Sequence, residues 1–264
     1  MDKSLMERRK EREIDFHNQR ERDRQSLDQA SFQKKYPNLK AYSIVRKSRG
    51  HLADWIRRNC QGKVALDYCC GTGGISLVLA RNGAYVHGID LSDESIKTAE
   101  NLLADEGYGA SSEFQVMDAE KLLFDEDTFD VIVCSGVLHH LNLAHAYRQL
   151  ARVLKPNGKI LCVEALGHNP LINLYRWLTP HLRTEWEVKH ILKKRDIRLA
   201  ELYFGKIEID FFHLFSIVGI PFHDTSTFDT LLTTLEWIDS VALKVPLFQW
   251  MAWQIIFELS LPKK

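Results

Sequence analysis

The sequence predicts an α/β fold built on a doubly wound, mostly parallel sheet, and three observations predict it. From residue 63 to residue 166, short apolar runs alternate with segments whose apolar residues recur at helical spacing, the pattern of a parallel sheet with helices on both faces. Phe129–Ser135 is almost continuously apolar, as a strand covered on both faces has to be. The run LDYCCGTGG (Leu66–Gly74) puts an acid and a tight glycine-containing turn between a strand and a helix. A parallel sheet makes a nucleotide-sized pocket in that way, at the carboxyl edge of a strand.

In chain order, residues 1–25 are densely charged with both signs mixed, and opposite charges three and four apart support a solvated helix. Phe16 and His17 interrupt the charge and offer a docking point. A docked arm, to which His17 and Tyr42 would belong, and a frayed arm are both open readings. Between Tyr42 and Cys60, Ile44, Val45, Leu52, Trp55 and Ile56 sit at helical spacing, and Gly62 stops the helix. Lys63–Leu66 is the first strand, ISLVLARNG a helix ending at Gly83, and Ala84–Asp90 the second strand. Ser92 is an N-cap, followed by Asp93 and Glu94 where acids favour the helix dipole, in a helix to about Glu106. Ser112–Val116 and Phe129–Ser135 are strands, a helix runs to about Leu154, Pro156–Gly158 is a turn, and Lys159–Leu166 is the fifth strand. Residues 167–203 are too long for a plain connection and should form a helical insertion. Lys206–Phe212 alternates as a strand; a helix from about Thr227 to Leu243 and a strand from about Trp253 to Leu259 finish the chain.

Composition narrows the function. The 264 residues allow one large domain or one domain with a cap. Lys plus Arg and Asp plus Glu both number 35, so no excess positive charge favours a polyanion, and no nucleic-acid partner is expected. Arg46, Lys47 and Arg49 form a modest basic cluster, read as a solvated helix face. Cys60, Cys69, Cys70, Cys134 and Cys162 make no CxxC and no ligand-like pair with histidine, so no metal is expected. An odd cysteine count without a signal peptide points to a reducing cytoplasm. No run of about eighteen clean apolar residues offers a membrane span.

The spacing also bears on the ligand. A dinucleotide fingerprint places glycine at the first, third and sixth positions of its turn; here those positions fall on Cys69, Gly71 and Gly74. Asp67 sits where it would repel a phosphate and favour a cation. A ligand with an amino group and a sulfonium suits such a turn better, and Asp90 can accept from both ribose hydroxyls.

The chain resembles the class I, Rossmann-like S-adenosylmethionine-dependent methyltransferases, and more loosely their quinone-biosynthesis-type small-molecule branch. LDYCCGTGG, GIDLS (Gly88–Ser92), VMDAEKLLFDEDTFDVIVCSGVLHHL (Val116–Leu141) and LARVLKPNGKIL (Leu150–Leu161) carry the resemblance in the expected order. The family usually has glycine where Cys69 stands, and cysteine suits that position if the backbone does not need positive φ. The resemblance implies a seven-stranded sheet with an antiparallel last strand, and S-adenosyl-L-methionine as cofactor. It divides the chain into an N-terminal helical arm or lid (1–41), a cofactor-binding core (42–166), a helical insertion capping the acceptor (167–203) and C-terminal strands and helix (204–264). It implies that Asp67, with the backbone of Tyr68, Gly71 and Gly73, holds the amino-acid end of the cofactor. Asp90 takes the ribose, Leu91 packs on adenine, and Asp118 with Ala119 meets the adenine amino group.

Methyl transfer is an in-line displacement, so alignment in a dry pocket supplies much of the catalysis, and a base is needed only where the acceptor loses a proton. Candidates on the acceptor side are His139, His140, Glu164 and His168, with Asn169; a histidine opening a helix also serves as a plain cap or packing residue. Arg183, Glu185 and His190 read equally well as surface residues. The end of the fourth strand, CSGVLHH, is not the Asp/Asn-Pro-Pro-aromatic run that positions exocyclic amines in nucleic-acid and some protein methyltransferases. Phe211–Phe222 and Val245–Phe257 are apolar and aromatic; they read as core, as a greasy wall for the acceptor, or as a homodimer face. The leading expectation is methylation of an O, N or C atom of a small, partly apolar metabolite, natural-product or lipid/quinone-like. Methylation of RNA or protein, and a non-catalytic binding or assembly module retaining the fold, are the alternatives.

Overall fold

In the computed structural model, which describes residues 3–264, the apolar runs assemble into one seven-stranded sheet. Its strands are β1 (Val64–Tyr68), β2 (Tyr85–Asp90), β3 (Ser112–Val116), β4 (Phe129–Ser135), β5 (Leu154–Ala165), β6 (Phe204–Phe212) and β7 (Gln254–Pro262). They lie in the order β3-β2-β1-β4-β5-β7-β6. β1 to β5 pair in parallel, and β7 runs antiparallel to both β5 and β6. The order reverses between β1 and β4, so the loops after these two strands diverge and leave a crevice at their carboxyl ends.

The helices are α1 (Lys3–Ser26), α2 (Gln29–Lys35), α3 (Arg46–Asn59), α4 (Gly74–Arg81), α5 (Asp93–Asp105), α6 (Leu143–Val153), α7 (Pro170–Leu178), α8 (Glu185–Lys189), α9 (Lys194–Arg198), α10 (Phe228–Ala242) and α11 (Pro246–Gln249). Alternating residues of the strands supply two cores. Leu66, Tyr68 and Ile132 bury beside Tyr147 and Leu150 of α6, while Ala65, Val86 and Val133 bury beside Trp55 and Ile56 of α3 and Leu79 of α4. Each fully buried Leu or Ile contributes about 2 kcal/mol. Ser92 caps α5 as its position predicts, accepting from the Ser95 N–H at 3.0 Å.

Four local readings change. A single helix is expected from β4 to Leu154, but Leu138–His140 forms a separate 3-10 turn and α6 starts only after its cap, Asn142. The Glu164 carboxylate divides them: its Oε1 accepts from the N–H groups of Val137 (2.8 Å) and Leu138 (2.7 Å), donors that open the turn and have no partner inside it. Pro156–Gly158 is not a turn ahead of the strand. The pairing steps from Phe129 with Leu154 to Val131 with Lys159, so these residues loop out as a bulge within β5. Arg46 is not merely solvated, since its Nε donates to the Glu236 carboxylate at 2.8 and 2.9 Å and ties α3 to α10.

The fourth change concerns α1, which buries Arg9, Glu13, Glu21 and Asp23 although it has no apolar stripe. Complementary charges explain this. Arg9 pairs with Glu120, Lys10 Nζ lies 2.6 Å from Asp118 Oδ2, and Arg22 lies 3.0 Å from Glu94. Arg24 donates to Thr72 at 3.2 Å. The helix therefore crosses the carboxyl edge of the sheet, touching the loops after β1, β2 and β3.

Candidate active site

The turn after β1 takes the left-handed backbone at Cys69 (φ 60°), Gly71 (φ 51°) and Gly73 (φ 82°). Cys69 therefore does need the positive φ that would suit glycine better, at a cost of about 1–2 kcal/mol for an L-residue. Burial, with the charges of Asp90 and Asp67 nearby, pushes its thiol well above the usual range, so it is no thiolate nucleophile. A Cβ on Gly73 would lie 2.9 Å from Ala99 Cβ of α5, whereas one on Gly71 would meet nothing within 4 Å. The turn is packed beneath and open above.

Asp67 is buried against α4, with Ser76 Oγ donating to its Oδ2 at 2.6 Å. Burial raises its carboxyl to about 7; the Ser76 bonds oppose this and the Asp90 charge adds to it. Asp90 closes the turn, Oδ2 accepting from Gly71 N at 3.0 Å and Oδ1 from Ser92 N at 2.9 Å. A carboxylate offers about four lone-pair sites, so Asp90 keeps capacity for both hydroxyls of a ribose. Leu91 is half-buried beside it. Asp118 Oδ2 accepts from Lys10, Oδ1 from Glu120 N at 2.9 Å, and the Ala119 carbonyl accepts from the Tyr68 hydroxyl at 2.6 Å. A turn open above, next to a carboxylate with unused acceptor sites, fits a cationic nucleoside.

At the ends of β4 and β5 the two histidines and Glu164 meet. His139 Nδ1 lies 2.8 Å from Glu164 Oε2, and its Nε2 lies 3.5 Å from Glu187 Oε1. Burial alone would lower this imidazole, but the Glu164 and Glu187 carboxylates outweigh it and lift His139 to about 9. His140 Nδ1 lies 2.9 Å from Glu13 Oε2 of α1. Burial and then the like charge of His139 lower His140 below 6.5, against the pull of Glu13 and Glu187. Burial would raise Glu13, yet hydrogen bonds from His140, His17 and Thr184 hold it far below the usual carboxylate range. Glu187 follows the same logic: burial opposes, His139 and His140 prevail, and it sits at about 2. With Glu13 ionised, the His140 proton belongs on Nδ1, which leaves Nε2 as an acceptor.

A cavity of about 800 Å³ opens over this group. Its walls include Phe16, His17 and Arg20 of α1, Ser135, Glu164, and the apolar Ile172, Ile217 and Trp253. Apolar residues of the Phe211–Phe222 and Val245–Phe257 stretches are found in the sheet core and on the cavity wall, while Phe215, Phe222, Val245, Leu247, Phe248 and Met251 are exposed. His139, His140 and Glu164 line the cavity, and His168 does not. The His168 Nε2 accepts from Lys194 N at 3.0 Å and its ring packs edge-on to Trp250. Asn169 caps α7, accepting from Leu171 N at 2.9 Å. Arg183 lines the cavity, Glu185 pairs with Arg12, and the exposed His190 stacks on Trp186.

Sequence reasoning missed Glu13 and Glu187. Glu13 lies in a charged stretch that reads as solvated and Glu187 in the expected helical insertion, and no local signal marks Glu13 as an acid that finds its histidine 127 residues away. The one available clue is the capping box at Thr184 and Glu187, visible as Thr-x-x-Glu. No metal was expected from spacing, yet Glu13, His17 and His140, and likewise His139, His140 and Glu187, offer ligand atoms within 4.8 Å of one another.

Known proteins resemble this chain in sequence and in fold. Residues 66–162 match the family model described as a methyltransferase domain. The chain is 32% identical over 150 residues to a demethylmenaquinone methyltransferase of Leptospira interrogans, covering 54% of this chain and 59% of that protein. It is 35% identical over 101 residues to a ubiquinone biosynthesis O-methyltransferase of Coxiella burnetii, covering 38% and 42% respectively. The chain thus spans about half the length of these curated relatives. The crystal structure of the PH0226 protein of Pyrococcus horikoshii shares the fold, with a TM-score of 0.56 and 21% identity over 84% of this chain and 91% of that one. Over residues 66–162 the chain is thus similar to methyltransferase domains, and its ordered motifs and strand order match the fold of the class I, Rossmann-like S-adenosylmethionine-dependent methyltransferases.

Proposed function

We propose that this protein transfers a methyl group from S-adenosylmethionine to an O, N or C atom of a small, partly apolar metabolite. Asp67 and the backbone of Tyr68, Gly71 and Gly73 hold the amino-acid end of the cofactor, Asp90 its ribose, and Leu91, Asp118 and Ala119 its adenine. Bound there, the cofactor supplies a methyl group already activated by positive sulfur. The acceptor occupies the cavity between α1 and the 167–203 insertion, which act as lid and cap and exclude water. Where the acceptor loses a proton, His140 Nε2 takes it, with Glu13 fixing the tautomer; His139 and Glu164 hold the 3-10 turn that carries the base.

The observation that carries this reading is the position of the cavity. It reaches Ser135 and Glu164, at the carboxyl ends of β4 and β5, and bears His140 on its wall. β4 is the immediate neighbour of β1, whose turn carries the nucleoside. The relatives named for demethylmenaquinone and ubiquinone methylation favour a phenolic acceptor with an apolar body. A cavity with an arm across it favours a metabolite over RNA or a protein side chain.

Titration calorimetry with S-adenosylhomocysteine, followed by transfer of labelled methyl to a panel of quinol and phenol acceptors, tests the reading. Binding together with transfer to at least one acceptor is the expected result. Failure to bind S-adenosylhomocysteine overturns it.

A further inference from the structure

We infer that the acceptor is an anionic amphiphile: an apolar body bearing a carboxylate or phosphate group, which Arg20, Arg176 and Arg183 receive. The inference rests on the reading of the cavity as an acceptor pocket and names the chemistry that pocket selects.

The three guanidinium groups come from separate segments, Arg20 from α1, Arg176 from α7 and Arg183 from the residues just ahead of α8, yet all line the same cavity. Among the described residues, none of the three has a carboxylate within 4.0 Å, although most other arginines of the arm and insertion do not share that condition: Arg9, Arg12, Arg22 and Arg24 are each ion-paired. The buried Nε of Arg20 has no hydrogen-bond partner. Arg176 donates to the Glu187 main-chain carbonyl, and Arg183 Nη1 to the Thr179 carbonyl at 2.9 Å and hydroxyl at 3.1 Å. These neutral oxygens orient the guanidinium groups without neutralising them. Burial, reinforced by the like charge of Arg183 and only partly offset by the charge of Glu187, lowers Arg176 to about 10, as expected of a buried cation with no carboxylate in contact.

The carboxylates that do line the cavity are engaged elsewhere. Glu164 accepts from Val137 N, Leu138 N and His139, and Glu187 lies against His139 and accepts from Thr184 N. Adding Lys40, also on the wall, the cavity holds more fixed cations than anions. Arginine's planar fork matches a carboxylate or phosphate in two parallel hydrogen bonds. Leaving such a group partly buried and unpaired is costly, so a ligand that supplies the anion gains from the pairing. The apolar part of the wall, with Ile172, Ile217, Ile220 and Trp253, then takes the body of the molecule.

Calorimetry on the full chain with decanoate, decyl phosphate and the uncharged decanamide tests this, with S-adenosylhomocysteine titrated in parallel. The expected result is that at least one anion binds tenfold or more tightly than decanamide, with an affinity that falls as NaCl rises. Comparison of decanoate with decyl phosphate tells which head group the arginines prefer. The Arg176→Gln, Arg183→Gln double variant should lose the anion preference and Arg176→Lys should keep part of it; if the double variant does not fold, Arg20→Gln on the arm provides the same test. S-adenosylhomocysteine binding combined with equal affinity for decanoate, decyl phosphate and decanamide overturns this inference alone. Absence of S-adenosylhomocysteine binding overturns the methyltransferase reading and removes the acceptor assignment with it.

Discussion

His139 and His140 are adjacent in sequence, with ring centroids 4.3 Å apart, yet their imidazoles are driven in opposite directions, His139 up to about 9 and His140 below 6.5. Each meets two acids: Glu164 and Glu187 outweigh burial at His139, whereas at His140 burial and the like charge of His139 prevail over Glu13 and Glu187. Neighbouring groups pushed apart in this way divide acid and base roles at one pH. For an acceptor that loses a proton, the rate should rise with pH through a midpoint below 6.5, as His140 becomes neutral. His140→Gln should lower kcat by about a hundredfold or more, the usual weight of a general base, with S-adenosylhomocysteine affinity held within about twofold. A full pH–rate profile of both proteins checks this; an unchanged kcat in the variant would remove His140 from the chemistry.

The same pair sets a stability window. His139 has a folded-state value of about 9 against 6.5 in the unfolded chain, so its contribution is complete below pH 6.5 and is lost as pH rises through 9. Thermal unfolding followed by circular dichroism should show Tm falling between about pH 7 and 9.5. In His139→Gln that part of the fall should be absent.

The two acids of the nucleoside turn should separate by what each supports. Asp90→Ala removes the anchor of Gly71 N and Ser92 N and, in the proposed cofactor pose, the ribose acceptor, so S-adenosylhomocysteine binding should weaken by at least about 1.5 kcal/mol, the scale of a charge-assisted hydrogen bond. Asp67→Ala should weaken it by a similar amount. It should also lower folding stability by about 1–3 kcal/mol, because the buried Ser76 hydroxyl loses its acceptor. Calorimetry and denaturant melts measure the two effects; unchanged affinity in both variants would place the cofactor elsewhere.

What the sequence made legible follows the range of the interactions. β3 and β4 are found at the residues expected, because strand period and burial are local properties that a few neighbouring side chains reveal. Asp90 and Ser92 are legible for the same reason, since turn and cap chemistry act over a few residues. The break between His140 and α6 is not, because Glu164 imposes it from a neighbouring strand. Glu13 is hidden most thoroughly. Its burial depends on a charge far away in the chain, and a helix with mixed charge reads the same whether it faces water or a charged crevice.

Glu13 therefore offers a direct test of whether the arm belongs to the site. Its Oε2 lies 2.9 Å from His140 Nδ1, and its Oε1 accepts from the Thr184 hydroxyl. An ionised carboxylate there accepts only, which fixes the proton on Nδ1 and leaves Nε2 free to take one. Glu13→Gln can also donate, so both tautomers of His140 become available. That variant should lose about tenfold or more in kcat, through tautomer and orientation, with little change in S-adenosylhomocysteine affinity. A variant with wild-type kcat on an acceptor that loses a proton would show that Glu13 merely docks the arm.

Metal dependence provides the last test, because the histidines and acids here also resemble a ligand set. Glu13, His17 and His140, and His139, His140 and Glu187, present ligand atoms within 4.8 Å. A metal needs unprotonated imidazole, however, and His139 with its value of about 9 keeps its proton at neutral pH. The ionised Glu13 and Glu187 already have histidine partners that complement their charge. Methyl transfer should therefore survive EDTA treatment. Added Zn²⁺ should inhibit, and more strongly near pH 9 than at pH 6.5, as His139 gives up its proton and becomes able to ligate. Loss of activity on chelation, restored by a divalent ion, would show instead that the cluster is a metal centre and that His140 is a ligand rather than a base.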